Sequence, residues 1–178
     1  AYEICLSRGL GDVYKRQLHY QSTSGEQEHR TVPTSCCNLL FFGLIRPYKG
    51  LEDLIRAFDT LSENEVTKYW LTIVGETWEG WTLPADLINQ SQHRDRITFV
   101  NRYVSDEEAV EFFAGADAVV LPYRRSSASG PLHIAMSCGL PVVVTRIGCM
   151  IEAVAGYGGA IVVLSLIHIS EPTRQAEI

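Results

Sequence analysis

Residues Asn38–Leu61 read NLLFFGLIRPYKGLEDLIRAFDTL, and this stretch decides the fold. Its first part, NLLFFGL at Asn38–Leu44, is a short apolar run that contains a glycine, which is typical of a strand buried on both faces of a sheet. The second part, Gly50–Leu61, places apolar residues at helical spacing, at Leu51, Leu54, Ile55, Phe58 and Leu61. A buried strand followed by an amphipathic helix predicts one unit of a parallel α/β sheet.

The rest of the chain repeats this alternation of apolar runs and helical patterns. We predict further strands at Trp70–Gly75, Arg96–Asn101, Ala116–Tyr123, Leu140–Gly148 and Gly159–Val163. We predict further helices at Leu83–Gln90, Ser105–Ala116, Gly130–Gly139 and Met150–Gly156. The predicted fold class is therefore α/β, a doubly wound, Rossmann-like parallel sheet. Because ligands of such sheets bind beyond the carboxyl ends of the strands, we expect the functional residues in the loops there.

Two segments near the chain ends are related in a way that folding does not explain. Ser7–Gln17 reads SRGLGDVYKRQ and Leu164–Arg174 reads LSLIHISEPTR, and the two strands of one DNA duplex can encode them both. Such an inverted repeat resembles the transposase end and adapter of sequencing libraries. We therefore expect residues 1–17 and 164–178 to derive from adapter DNA. Residues 18–37 are then predicted to be a linker, and residues 38–163 one domain of a longer protein.

Charge and cysteine content exclude several classes of function. The chain has 21 acidic against 15 basic residues, a net charge of −6, which argues against a nucleic-acid partner but allows a local basic pocket. Its cysteines show no zinc-ligand spacing and are predicted to be free thiols in a reducing compartment. No apolar run approaches the roughly 18 residues of a membrane helix. We expect a cytoplasmic protein with no metal site.

Arg46 and Lys49 lie between the first strand and the first helix, in the loop GLIRPYKG. At that position the backbone N–H groups and the dipole of the following helix favour an anion. Arg offers a planar fork to phosphate oxygens, and Lys offers a compact charge. The pattern indicates a phosphate site, although two solvated loop cations would have the same sequence.

A second candidate loop follows the fourth strand and reads PYRRSSASGPL, from Pro122 to Leu132. Free helical N–H groups near Gly130 and Leu132, together with hydroxyls, suit a diphosphate or a sugar. The hydroxyls come from Ser126, Ser127 and Ser129. A serine-rich turn that only caps the helix is the alternative interpretation.

Two further residues are weaker candidates. Glu152, expected on the first turn of the helix after the fifth strand, could accept sugar hydroxyls or could be a surface acid that stabilises the helix dipole. Tyr103, in the loop after the third strand, could lie at the edge of a flat base, although most loop aromatics only pack.

Some motifs are absent from the sequence. No G-x-G-x-x-G follows a strand, so a dinucleotide oxidoreductase is disfavoured. The P-loop motif G-x-x-x-x-G-K-[ST] and the nucleophile elbow G-x-S-x-G are also missing, which excludes a P-loop NTPase and disfavours an α/β-hydrolase.

Taken in order, the loops and strands resemble one family. The segments are FFGLIRPYKGLEDLIRAF, YWLTIVGE, RITFVNRYVSDEEAVEFFAGADAVVLPY, SGPLHIAMSCGLPVVVT and the G-x-x-x-E of Gly148–Glu152. They are similar to the C-terminal donor-binding domain of retaining GT-B glycosyltransferases of the group 1 type, which is one half of a GT-B fold. The resemblance implies that Arg46 and Lys49 bind the donor diphosphate and that the backbone of Gly130, Pro131 and Leu132 contacts phosphate and sugar. It places the base against the loop after Phe99.

The resemblance also implies an activity. The whole protein would transfer a sugar from a nucleotide-diphosphate sugar to a sugar, lipid or protein acceptor, without a metal or other cofactor. The acceptor domain would be the missing half, it could associate peripherally with a membrane, and the fragment alone would be inactive. The family usually has two Glu residues where this chain has Ser126 and Ile134, so we expect a variant donor site that uses serine hydroxyls. A GT-B nucleotide-sugar epimerase and a non-catalytic sugar-nucleotide binding protein are the alternatives.

Overall fold

A computed structural model describes residues 32–33, 35–78, 80–126 and 128–164. The predicted adapter-derived ends, apart from Leu164, and most of the predicted linker lie outside the described residues. Within the described part, six strands form a single sheet in which every pair of neighbours is parallel. They are β1 (Cys37–Phe42), β2 (Tyr69–Val74), β3 (Ile97–Val100), β4 (Ala118–Leu121), β5 (Val142–Thr145) and β6 (Ala160–Val163).

The strand order, β3-β2-β1-β4-β5-β6, is that of a doubly wound sheet. The chain moves outward from β1 in one direction through β3 and then returns to place β4 on the other side of β1. Right-handed crossovers therefore put helices on opposite faces in the two halves. Adjacent residues such as Leu40 and Phe41 point to opposite faces, and both are fully buried, so both faces of the sheet are covered. The predicted fold class is confirmed.

Six α-helices connect and flank the strands in the described residues. They are α1 (Leu51–Asp59), α2 (Glu63–Val66), α3 (Leu83–Gln90), α4 (Asp106–Ala114), α5 (Gly130–Ser137) and α6 (Gly148–Val154). Ser105 and Glu108 form a capping box at the start of α4. Within the described part of the chain, no helix is long and apolar enough to cross a membrane.

The structure corrects several predicted boundaries. The fourth strand ends before Pro122 and the fifth begins after Pro141, because a proline lacks the N–H that a ladder bond needs. The short helix α2, with its own capping box at Ser62 and Glu65, was not predicted. The last helix begins at Gly148 rather than Met150, so the prediction that Glu152 lies on its first turn is wrong.

Candidate functional site

The carboxyl ends of β1 and β4 lie side by side at the point where the strand order reverses. An open parallel sheet has a crevice at such a point, because the two following connections leave on opposite faces. The loops after these two strands are Gly43–Gly50 and Pro122–Ser129, which contain both groups of residues that the sequence singled out. The topology therefore brings the two predicted loops to one edge of the sheet.

Backbone contacts fix the loop after β1 against the loop after β2. Gly43 N–H donates to the carbonyl of Val74 at 2.9 Å, and Ile45 exchanges hydrogen bonds with Glu76 and Trp78. Gly75 has φ of 147°, and a Cβ there would stand 2.2 Å from the carbonyl oxygen of Gly43. No side chain fits at Gly75, because the two backbones are in direct contact.

The same loop is fixed on its other side to the loop after β4. Gly50 has φ of 65°, and a Cβ there would stand 2.2 Å from the carbonyl oxygen of Pro122. The N–H of Arg124 donates to the carbonyl of Tyr48 at 2.8 Å. The segment between Gly43 and Gly50 is therefore held by backbone contacts on both sides, which positions Arg46 and Lys49.

Arg46 packs its guanidinium on an aromatic ring. Its Cζ atom lies 4.1 Å from the centroid of Trp78, a cation–π distance. The Nε atom of Arg46 is buried and has no hydrogen-bond partner among the described residues. A buried guanidinium donor without a partner carries a desolvation cost that an acceptor on a ligand would remove.

Lys49 extends from the end of a 3₁₀ turn, Pro47–Lys49, into the space between the two loops. Its Nζ lies 5.4 Å from the ring centroid of the buried Tyr123. A Cβ placed on Gly43 would stand 3.2 Å from that Nζ and 3.3 Å from Cγ of Pro131. The ammonium group therefore lies beside both the loop after β1 and the start of α5.

The two cations lack a counter-ion within the described part of the chain. The ion pairs there involve Arg56, Arg102 and Arg124, and neither Arg46 nor Lys49. Burial, and secondly the charge of Arg46, lower the pKa of Lys49 from 10.5 to about 8. The fold thus holds two like charges together without an ion-pair partner in the described residues, which is an arrangement that an anion would stabilise.

The start of α5 uses one of the predicted hydroxyls for its own backbone. Ser129 is the N-cap, and its Oγ accepts from Leu132 N at 3.3 Å and contacts Tyr123 Oη at 3.5 Å. Ser129 is buried, whereas Gly130 is exposed. The contacts of Ser129 are therefore those of a helix cap. The Gly130 N–H, by contrast, has no hydrogen-bond partner among the described residues.

The other serines of this loop differ from Ser129. The Ser126 hydroxyl donates to the carbonyl of Ala128 at 2.6 Å, and the Ser126 carbonyl accepts from the Cys149 thiol at 2.7 Å. Ser127 lies outside the described residues. A donor contact through Ser126 would therefore have to replace or share a bond that stabilises the loop.

The remaining candidates, Tyr103 and Glu152, are both exposed. Tyr103 is 77% exposed, beside an Arg102–Glu108 ion pair that closes the loop after β3. That loop joins the one after β2, because the Asn101 side chain accepts from Thr77 N at 2.9 Å. Glu152 is exposed on the second turn of α6, and no described side chain holds its carboxylate.

Arg124 is a further residue of the site that the sequence did not single out for a role. Its Nε and Nη2 atoms donate to the two carboxylate oxygens of Asp53, at 2.9 and 2.8 Å. Its Nη1 donates to Glu52 Oε1 at 2.7 Å. The hydrogen bonds to Asp53 are the main cause that raises the pKa of this guanidinium. The loop after β4 is therefore tied to the first turn of α1.

Possible metal ligands do not converge on this edge or elsewhere in the described residues. Across the part of the chain that the structure describes, no three His, Cys, Asp or Glu side chains are grouped as a metal site. The four described cysteines, Cys36, Cys37, Cys138 and Cys149, are free thiols.

Comparison with known proteins places this chain in a family. The sequence profile described as "Glycosyl transferases group 1" matches residues 36–166. The chain is 32% identical over 126 residues to a GDP-mannose:glycolipid 4-beta-D-mannosyltransferase of Xanthomonas campestris pv. campestris, covering 70% of this chain and 34% of that protein. It is also 32% identical over 135 residues to a D-inositol 3-phosphate glycosyltransferase of Mycolicibacterium smegmatis, covering 74% and 30%. The chain thus spans about a third of the length of the curated relatives it matches.

Solved structures share the fold. The C-terminal domain of a glycosyl transferase group 1 family protein from Francisella tularensis superposes with a TM-score of 0.61 at 20% identity, covering 73% of this chain and 69% of that one. A UDP-forming trehalose-phosphate synthase from Burkholderia xenovorans gives a TM-score of 0.68 at 14% identity, covering 91% and 39%. Because the family profile spans most of the chain and the architecture agrees, this chain belongs to the glycosyl transferases group 1 family.

Proposed function

We propose that this domain binds the diphosphate of a nucleotide-sugar donor and that the whole protein transfers the sugar to an acceptor. The observation that carries the proposal is the pair Arg46 and Lys49, held together at the switch point of the sheet without an acidic partner in the described residues. Keeping two partly buried like charges together costs free energy, which a bound diphosphate offsets.

The start of α5 supplies the second half of this proposed anion site. The Lys49 ammonium lies beside Pro131, so a diphosphate that contacts Lys49 also approaches the N–H of Gly130. That N–H stands at the positive end of the α5 dipole, where a phosphate oxygen is favoured. In this arrangement Arg46 binds one phosphate, and Lys49 with the helix start binds the other.

The same groups would serve the chemistry of transfer. When the bond between the sugar and the diphosphate breaks, negative charge develops on the leaving oxygen. In the proposed site, the two cations and the helix dipole stabilise this charge, and they lower the barrier because they are held in place before the reaction. We expect this set to take the place of a divalent cation, so that a chelator leaves donor binding unchanged.

The similar proteins support a hexose donor and a glycan or lipid acceptor. One is described as using GDP-mannose and a glycolipid, and another, from Escherichia coli, as an O-antigen chain mannosyltransferase. We propose a donor of this class and a cytoplasmic site of action for the whole protein, with an acceptor that the other domain binds. Ser126, Ser127, Glu152 and Tyr103 are proposed contacts for the sugar and the base.

The experiment is calorimetric titration of the chain with UDP and with GDP. We expect weak binding of one or both, weakened about 100-fold by Arg46→Ala plus Lys49→Ala, because two charge-assisted contacts are lost. The matched control is Lys68→Ala plus Arg94→Ala, which removes the same charge from exposed positions at the opposite edge of the sheet. Equal losses in both double variants would show only a general charge effect, and folded wild-type chain that binds neither nucleotide would refute the proposal.

A further inference from the structure

The Arg124 side chain makes four hydrogen bonds at this edge of the sheet. Besides its bonds to Glu52 and Asp53, its Nη1 reaches the carbonyl of Pro47 at 3.4 Å. The backbone N–H of Arg124 donates to the carbonyl of Tyr48. The Arg124 guanidinium therefore bonds to residues on both sides of Lys49 in the chain. Its side chain is nevertheless 47% exposed, and Arg124 follows the end of a strand, as a ligand-binding arginine would.

The two acids that Arg124 engages are the acidic side chains closest in sequence to the cation pair. Glu52 and Asp53 lie in the first turn of α1, and Gly50 and Leu51 separate them from Lys49 in the chain. Their side chains are only 6% and 11% exposed. A Cβ on Gly50 would stand 3.5 Å from Asp53 Oδ2, so this carboxylate lies against the backbone next to Lys49. Carboxylates buried here need a cation: Arg124 pairs with both, and Arg56 lies 3.9 Å from Asp53 Oδ1.

We propose that Arg124 is a positioning residue for donor binding: it binds Glu52 and Asp53 so that neither carboxylate neutralises Lys49 or repels the donor diphosphate. This inference rests on the proposed function. The geometry favours Arg124 over Lys49 for the carboxylates, because its planar fork makes a bidentate contact with Asp53. Lys49 stays available to a ligand, with Arg46 and Tyr123 as its charged and titratable neighbours.

In this role of Arg124, the charge of Glu52 and Asp53, rather than their packing, determines the affinity for the donor. In Arg124→Gln, Glu52 loses its cation and Asp53 keeps only Arg56, at 3.9 Å, so we expect the freed carboxylates to attract Lys49. The affinity for UDP-glucose and GDP-mannose then falls about tenfold. The pH at which affinity declines also moves upward, because a neighbouring carboxylate stabilises the charged form of Lys49.

Neutral variants separate this role from a structural one. Glu52→Gln plus Asp53→Asn, combined with Arg124→Gln, removes the carboxylates as well as the arginine. We expect the triple variant to bind within about threefold of wild type and to regain the wild-type pH dependence. Glu52→Gln plus Asp53→Asn with Arg124 retained keeps the hydrogen-bond acceptors, and we expect binding at least as tight as that of wild type.

The test is calorimetry with UDP-glucose and GDP-mannose from pH 7 to 9, with thermal unfolding of each variant measured in parallel. If Arg124→Gln does not fold, the deciding variant is Glu52→Gln plus Asp53→Asn with Arg124 retained. Donor binding as tight as that of wild type, or tighter, supports the positioning role, and weaker binding overturns it. Two further results overturn the role. The first is wild-type affinity in a folded Arg124→Gln. The second is a folded triple variant that binds the donor as weakly as Arg124→Gln and has the same pH profile as that variant. Wild-type chain that binds neither donor contradicts the proposed function instead, so the two failures differ.

Discussion

Gly50 lies so close to Pro122 that a Cβ on the glycine would stand 2.2 Å from the proline's carbonyl oxygen. This contact joins the loop after β1 to the loop after β4, on the two sides of the switch point. The donor site proposed here depends on that junction, because Lys49 directly precedes Gly50.

The contact predicts an unusually large effect of a single methyl group. Gly50→Ala must strain a backbone with φ of 65° and also displace Pro122. We expect a loss of about 3 kcal/mol in the free energy of unfolding, measured by urea denaturation. Gly139→Ala is the matched control, since Gly139 has φ of 72° and nothing within 4 Å of an added Cβ, and it should cost only about 1 kcal/mol. Equal costs at the two positions would contradict the close junction.

Trp78 is expected to support donor binding through Arg46 alone. The ring is 46% exposed and lies under the guanidinium, so Trp78→Ala should weaken nucleotide binding about threefold with little change in stability. Trp78→Tyr keeps an aromatic face and should retain most of the affinity. In an Arg46→Ala background the effect of Trp78→Ala should disappear. An undiminished effect there would mean that the ring contacts the ligand itself.

Donor affinity should fall as the pH rises past about 8, the lowered pKa of Lys49. The native ammonium loses its proton through this range, and an uncharged amine no longer attracts the diphosphate. We expect UDP-glucose, whose diphosphate charge is constant there, to bind about tenfold more weakly at pH 9 than at pH 7. Lys49→Arg should abolish the decline. A wild-type curve as flat as that of Lys49→Arg would show that Lys49 is not in the site.

The contribution of Lys49 to the stability of the unliganded domain should rise with pH, whereas donor affinity falls. Unfolded Lys49 keeps its proton up to 10.5, whereas the native residue loses it near 8. The unfolded state therefore binds more protons between these values, and the contribution of Lys49 to stability rises with pH in that window. The difference between wild type and Lys49→Arg in urea unfolding at pH 7.5 and 9.5 measures it. A difference that stays constant between these pH values would contradict the lowered pKa.

Ser129 and Ser126 should respond differently to loss of the hydroxyl. Ser129→Ala removes the cap of α5 and leaves the buried Leu132 N–H without its partner, so we expect a cost of about 1 kcal/mol or more. Ser126→Ala affects a bond to a loop carbonyl at a half-buried position and should change stability by less than about 0.5 kcal/mol. A larger effect of Ser126→Ala on nucleotide-sugar binding than on stability would support Ser126 as a donor contact.

The elements of the fold could be predicted because each has a local signal. The strands are apolar runs, three of which are followed directly by glycine or proline, and α1 and α4 have apolar residues at helical spacing. Helix α2 was missed because its four residues, ENEV, are too few to show a period. Its one available signal was the capping box formed by Ser62 and Glu65.

Only those features of the site that lie within a single loop could be predicted from the sequence. Arg46 and Lys49 follow a strand and precede a helix, and that position alone suggests an anion site. The carboxylate partners of Arg124 are 71 and 72 residues away in the chain, so no local pattern connects them. The cation–π contact of Arg46 with Trp78 likewise depends on how the loops after β1 and β2 meet, which only the folded sheet determines.

The most direct measurement is a titration of the ¹⁵N-labelled chain with GDP-mannose and UDP-glucose, followed amide by amide in ¹H–¹⁵N spectra. We predict that the amides of Lys49, Gly130 and Leu132 shift together as one donor saturates, while those of Leu61 and His93, at the opposite edge of the sheet, do not. Saturation that leaves Lys49 and Gly130 unmoved, or shifts that are largest at Leu61 and His93, would contradict a diphosphate site at the switch point.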